Sequence, residues 1–307
     1  MAAVAFLGTP GAAVPALRAL AETVPVTAVL CNPDKPQGRG RHLEAPPVKE
    51  TALAAGLPVH QPASWKTPET RALWEGLGID LAIVVAYGHI LPRWMLDSCP
   101  LGVWNLHFSI LPRWRGAAPV NHAILAGDQE TGVALMRLTP GMDEGPVLAQ
   151  TRRPIGMTDT APLLLALLAE DGATLLRQHL EAILVGRAEP LEQSGTPTFA
   201  TKLNREMAQL DPLQDASALH RRVRALQPWP GTELTLDDAP LKVCGVGAMT
   251  QAEDPAGVLR WDKRGARLAC GDGQALELTL LQRPGKPVQL SLQALQPFGA
   301  AGTRTVR

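Results

Sequence analysis

The chain has 307 residues, 46% hydrophobic and 19% charged, with 29 basic residues balanced by 29 acidic ones. That composition excludes a mainly disordered chain, and the balance excludes a general polycation of the architectural DNA-binding kind. At about 150 residues per domain the length predicts two domains, each large enough to bury a core.

The N-terminus, MAAVAFLGTPG, has no basic n-region and is cut short by Gly and Pro. The longest apolar run, 162–169, is far shorter than the roughly 20 residues a membrane helix needs, so neither secretion nor insertion is expected. AVAFLG reads as a first strand, 14–20 as a helix, VTAVL as a strand, 48–55 as a helix and LPVH as a short strand. Between the second strand and second helix lies a long connection, NPDKPQGRGRHLEAPPVK at 32–49, with Lys35, Arg39, Arg41 and His42 among its glycines and prolines. It reads either as solvated surface or as a clamp for a polyanion, for which Arg39 between two glycines is well suited.

DLAIVVA at 80–86 is continuously apolar, the pattern of a parallel strand buried on both faces. VWNLH at 103–107 reads as the next strand, 117–125 as a helix, 132–138 as another strand, and a long helix follows caps near Asp159 and Thr160 and runs to about Val185. Alternating strands and helices predict an α/β fold with a doubly wound, mostly parallel, Rossmann-like sheet over residues 1–186. Residues 187–205 lose apolar periodicity and read as a linker. Beyond them, 217–226 reads as a helix, and TELTL, LKVCGV, GVLRW, ARLACG and ALELTLLQ read as short strands, which predicts a smaller β-barrel, OB-like, over 206–307.

The four cysteines, Cys31, Cys99, Cys244 and Cys270, form no CxxC pair, which argues against a zinc ribbon or a disulfide framework and fits a reducing cytoplasm. FLGTPG at 6–11 follows the first strand but is not GxGxxG, so a nicotinamide cofactor is not expected; it reads as a tight turn or a ligand-contacting one. Asn105 and His107 are two apart on a strand, so their side chains leave the same face. As packing this pair is odd, and as a metal site it lacks a third ligand at recognisable spacing, although His89 and His122 are conceivable partners. As an acyl-transfer site it makes sense, because an amide and an imidazole both donate to an oxygen that gains negative charge. Such a His needs an acid, and Asp143 in GMDEGP follows the next strand within a turn, whereas Glu144 reads as a solvated turn residue.

FLGTP, PDKPQGRGRHL, YGHILP at 87–92, NLHFSILPRWRGAAPVNHAILAGDQETGV at 105–133 and GMDEGPVL at 141–148 together resemble the methionyl-tRNA formyltransferase family, over nearly the whole chain. The Asn, His, SxLPxxxG and Asp set alone is shared by formyltransferases and hydrolases that use 10-formyltetrahydrofolate. RWRGAAP, the basic loop, RALQPWPG at 224–231 and ACGDG at 269–273 narrow the resemblance to the tRNA enzymes. The family usually has Leu or Ile where Met142 stands and Thr where Glu144 stands.

The resemblance implies transfer of the formyl group of 10-formyltetrahydrofolate to the α-amine of initiator methionyl-tRNA in the bacterial cytoplasm, with no metal, no nicotinamide and no obligate protein partner. It implies catalysis by Asn105, His107 and Asp143, and folate contacts from Tyr87, Gly88, His89, Ile90, Leu91, Ser109, Ile110, Leu111, Pro112 and Gly116. For tRNA it implies Lys35, Arg39, Arg41, His42 and Lys202. Three alternatives stay open: a formyltransferase for a sugar nucleotide or another small amine, which would not need the GRGR loop; a non-catalytic RNA-binding protein, which would have no reason to keep all three catalytic residues; and, third, a nicotinamide oxidoreductase.

Overall fold

The computed structural model of the chain describes residues 2–37 and 42–307. The chain folds into two compact units: 1–119, 130–154 and 165–200 form the first, and 120–129, 155–164 and 201–307 the second.

The first unit is built on a seven-stranded sheet. In chain order its strands are β1 (Val4–Gly8), β2 (Val26–Leu30), β3 (Val59–His60), β4 (Leu81–Val85), β5 (Val103–His107), β6 (Ala134–Arg137) and β7 (Val147–Gln150), arranged β7-β6-β5-β4-β1-β2-β3. The first five run parallel, and β6 and β7 add an antiparallel edge. Every residue of β1 and β4 is buried, which is what their unbroken apolar runs demand in a sheet covered on both faces. On one face Leu7, Leu30 and Val84 pack with Trp65, Trp74, Tyr87 and Met95. Trp74 belongs to helix Pro68–Leu77, which the apolar pattern did not reveal although its signals are local: the Thr67 hydroxyl accepts from the Thr70 N–H, Pro68 opens the helix, and Gly78 closes it at φ +58°. Strand order reverses between β1 and β4, so ligands are expected outside the carboxyl ends of these strands and of the adjoining β5.

Residues 187–200, expected as linker, belong to the first unit. Leu191 and Val147 exchange main-chain hydrogen bonds at 2.8 and 2.9 Å, and Phe199–Ala200 pair in parallel with Arg115–Gly116. The segment is held by main-chain pairing and side-chain hydrogen bonds, which leave no apolar period to read.

The second unit carries another seven-stranded sheet, antiparallel in every ladder, whose longest strand is Ala239–Gln251. Its edges meet: Thr235 and Arg307 exchange N–H to carbonyl bonds at 2.6 and 3.3 Å, curling the sheet around Leu219, Val223, Leu268 and Trp261. Helix Ala216–Ala225 also grips the parts of this unit that come from earlier in the chain. The Asn121 amide donates to the Ala225 carbonyl, Arg221 to that of Leu125, and Arg224 to those of Gly156 and Asp159. Among the described residues no helix is long and apolar enough to cross a membrane.

Candidate active site

β5 pairs with β4 only as far as Asn105, opposite Val84, and its last residues run beyond that partner while β6 covers the other side, setting Met136 against Asn105 and Ala134 against His107. The pleat sends Val103, Asn105 and His107 to one face. Val103 joins the apolar cluster, while the two polar residues stand where the sheet ends. His107 is 6% exposed, so whatever its ring nitrogens meet decides what it can do.

Nε2 lies 2.8 Å from the Trp114 carbonyl, which only accepts, so Nε2 carries a hydrogen. Nδ1 faces Asp143 Oδ2 at 3.6 Å, too long for a hydrogen bond but close enough for an ion pair once the ring is charged. A neutral ring therefore presents its lone pair at Nδ1, on the carboxylate side. From sequence, Asp143 is expected to orient the imidazole; in the structure the Trp114 carbonyl orients it, and Asp143 stands where the charge of a protonated ring would fall. Among the described residues no group hydrogen-bonds the Asn105 carboxamide, which leaves its donors available on the same face.

Both partners of His107 sit on constrained backbone. Trp114 has φ +62°, and its N–H donates to the Thr198 hydroxyl at 2.9 Å. Asp143 has φ +47°, a region that Asp tolerates better than most residues. The Gly116 N–H donates to Asp143 Oδ2 at 2.8 Å. Gly116 itself has φ +118°, and a Cβ there would lie 2.6 Å from the Ala200 carbonyl oxygen. At Gly145 a Cβ would come within 2.0 Å of the Arg137 carbonyl oxygen, so the Asp143 turn closes on β6 only because that residue has none. The Gln193 side chain then ties the turn down, donating to the carbonyls of Asp143 and Gly145, both at 2.8 Å, and accepting from Arg115.

The residues assigned to folate divide into two groups. Ser109 is fully buried, with its hydroxyl donating to the Arg113 carbonyl at 2.6 Å, and Leu111 packs on Ala134 and Met136. Both shape the 109–116 loop, in which the Leu111–Pro112 bond is cis. Tyr87 likewise turns its ring into the core, where burial pushes its phenol pKa up, and its carbonyl accepts from Thr9 and Asn32. Gly88, His89 and Ile90 are different: among the described residues they make no main-chain hydrogen bond, and Ile90 is 90% exposed. Main-chain donors and acceptors without partners among the described residues, just after the end of β4, fit a flat heterocycle that needs both.

The His89 ring meets the Asn32 amide oxygen, and the Asn32 carbonyl accepts from Gln61, so the ends of β2, β3 and β4 are joined by one polar network. Burial first, and Lys35 second, lower the His89 pKa. Asp34, beside this network, is held below the usual carboxylate range by hydrogen bonds from Lys49 and Gln61. Cys31 is pushed up to about 11 by burial, which makes it a poor nucleophile.

Of the residues assigned to tRNA, Lys35 is exposed on a short strand, Lys35–Gln37, that pairs with His42–Glu44, and Lys202 is exposed in the second unit. Arg39, Arg41 and the His42 side chain lie outside the described residues. No group of three or more His, Cys, Asp or Glu among the described residues is placed to hold a metal ion. Sequence reasoning missed Trp114, Thr198 and Gln193, whose contributions are a carbonyl, a hydroxyl and an amide acting on main chain, and these leave no motif.

Two family models match the chain, "Formyl transferase" over residues 4–180 and "Formyl transferase, C-terminal domain" over 202–296. Among curated proteins, a methionyl-tRNA formyltransferase of Xanthomonas axonopodis pv. citri is 46% identical over 285 residues, covering 91% of this chain and 92% of the relative. One of Methylococcus capsulatus is 43% identical over 304 residues, covering 98% of each. Among solved structures, an N-formyltransferase of Helicobacter canadensis, in complex with folinic acid and dTDP-3-aminofucose, superposes with a TM-score of 0.68 at 17% identity, over 91% of this chain and 99% of the other. HypX of Aquifex aeolicus in complex with tetrahydrofolic acid gives 0.65 at 18% identity, over 96% of this chain and 47% of the other. At such identities these structures speak for the fold alone.

Proposed function

Because the chain belongs to the formyl transferase family, with methionyl-tRNA formyltransferases as relatives along nearly its whole length, we propose how its own residues carry that chemistry. It is a formyltransferase that moves the formyl group of 10-formyltetrahydrofolate to the α-amine of methionyl-tRNA, for translation initiation. The bacterial cytoplasm is where this reading places it.

The observation that carries the assignment of roles is the meeting of Asn105, His107 and Asp143 at the open end of β5. The folate supplies the formyl carbon as an electrophile. The Asn105 amide donates to the formyl oxygen as it gains negative charge, the kind of contact that typically contributes about 10²-fold or more to turnover. An α-amine has an unperturbed pKa near ~8, so a useful fraction is neutral at about pH 7 and the larger task is removing its proton after attack. His107 takes that proton at Nδ1, because Nε2–H is committed to the Trp114 carbonyl, and returns it to the folate N10 as the tetrahedral intermediate collapses, breaking the formyl C–N10 bond and releasing tetrahydrofolate. Asp143, 3.6 Å away, balances the positive charge the ring acquires. Gly88, His89 and Ile90 offer main-chain groups to the heterocycle, with Leu91, Ile110, Leu111, Pro112 and Gly116 bounding its pocket. Lys35, Arg39, Arg41, His42 and Lys202 meet tRNA phosphates, holding the methionyl ester in place for attack.

The test is to incubate the protein with 10-formyltetrahydrofolate and methionyl-tRNA and look for formylmethionine. Product from methionyl-tRNA, and none from a dTDP-amino sugar, is the expected result. The reverse pattern would make the chain a sugar N-formyltransferase.

A further inference from the structure

Gln193 lies 50 residues from Asp143 in sequence, in a stretch that reads as linker, yet its amide makes four hydrogen bonds at the back of the Asp143 turn. Nε2 donates to the Asp143 and Gly145 carbonyls, both at 2.8 Å, and Oε1 accepts from Arg115 Nε at 3.1 Å and Nη2 at 2.8 Å. A primary amide has two donors and an acceptor oxygen with two lone pairs, so this side chain is fully used.

The two carbonyls it caps belong to the turn that carries the carboxylate facing His107. Asp143 is held at φ +47°, a conformation an isolated L-residue does not prefer, so the turn needs external bonds to keep it. The Gly116 N–H fixes the carboxylate oxygen; Gln193 fixes the main chain behind it. Its bond to Arg115 adds a second constraint, because Arg115 directly precedes Gly116 and is paired with Phe199. One amide thus spans the acid-bearing turn and the strand that anchors the acid.

We propose that Gln193 is a positioning residue for the formyl-transfer reaction: it holds Asp143 at the distance at which the carboxylate supports a charged His107. This rests on the roles assigned above to His107 and Asp143. The side chain is half-buried on the wall of a polar cleft of about 380 Å³, shared with Thr139, Glu144 and Pro146, so water is at hand to meet the groups it would abandon. Replacement is therefore compatible with folding, and its effect should fall on the geometry of the turn.

The experiment compares the full-length parent, Gln193→Met, which keeps the length and removes all four bonds, and Gln193→Glu, which keeps the acceptors for Arg115 but turns both donors into an oxygen facing two carbonyls. Each is also made in an Asp143→Asn background. Both single variants should lower kcat on the order of 10- to 100-fold, the cost of misplacing a catalytic group by about 1 Å, with KM for either substrate within about twofold of the parent. In the Asp143→Asn background the same changes should shift kcat by no more than about twofold, because the group being positioned no longer acts. A residue that merely stabilised the fold would slow both backgrounds alike, and that result would overturn the proposal. So would a folded variant with parental kcat, or failure of both variants to fold. A parent that makes no formylmethionine would instead overturn the functional reading and this inference with it, an outcome distinguishable because it precedes any substitution.

Discussion

At the scale of single residues, the proposed site brings together three side chains and the carbonyl that fixes one of them. His107→Ala removes the proposed proton acceptor, and Asp143→Asn keeps an oxygen for the Gly116 N–H but loses the charge facing Nδ1. Each should lower kcat by about 10² or more while tRNA binding, measured by filter retention, changes little, since these contacts are made in the transition state. Near-normal turnover by either variant would refute the proton-handling scheme. Asn105→Asp should be at least as severe, because it sets a negative charge against an oxygen that becomes negative. That these three residues come together was legible in the sequence: two polar residues on one face of an apolar strand, followed by an acid after the next strand, have few structural explanations. The direction of the imidazole was not legible, because it depends on the Trp114 carbonyl, and a carbonyl is present at every position of any chain.

Among the elements, the short strand Phe199–Ala200 has the largest effect on the site for its length. With Thr198 it supplies the hydroxyl that receives the Trp114 N–H and the main-chain partners of Arg115 and Ala117. Gly116→Ala forces a Cβ toward the Ala200 carbonyl at a positive φ, so it should lower Tm, and by separating this strand from the loop it should lower kcat as well. Calorimetry with steady-state kinetics reads both; a Tm equal to the parent's would show that the pairing at Gly116 is dispensable.

The basic connection around 35–42 makes a different kind of prediction. Arg39→Ala should reduce kcat/KM for methionyl-tRNA and make the remaining activity less steeply salt-dependent, with folate binding unchanged, because the proposed phosphate contact is removed. Unchanged salt dependence would return that segment to solvated surface. The main strands and long helices were readable from periodicity, whereas residues 187–200 were not. A hydrogen bond from Gln193 to the Asp143 carbonyl and one that Thr198 accepts from the Trp114 N–H hold them, and polar anchoring of that kind looks from sequence like the absence of structure.

For the whole molecule, the division into units does not follow chain order. Helix Ala216–Ala225 bonds Asn121, Leu125, Gly156 and Asp159, all contributed from well upstream in the sequence. Ending the chain at residue 205 should therefore destabilise what is left, with hydrogen exchange accelerating first at 120–129 and 155–164; exchange as slow as in the full chain would show that those segments hold without the helix.

The same helix predicts a pH effect. Burial, and then the Arg224 and Arg221 guanidinium groups, lower the His220 pKa from 6.5 to about 4. The unfolded chain takes up a proton near pH 6.5 that the folded chain refuses until about 4, so stability falls as pH drops through that window, by at most about 1.4 kcal/mol per pH unit. His220→Gln, which can still accept from Arg224, should flatten the Tm profile between pH 6.5 and about 4, and an unchanged slope would assign it to other groups.

The strand at 199–200 also sets a clock. Trp114 and Thr198 are 84 residues apart, and a ribosome adding roughly 5–20 residues per second delivers the second on the order of 10 s after the first. The parallel strands that hold Asn105 and His107 are all synthesised before then. During translation His107 and Asp143 are thus made seconds before the segment that pins the Trp114 backbone, so on the proposed roles the alignment of the site waits on residues that carry none of its reacting groups.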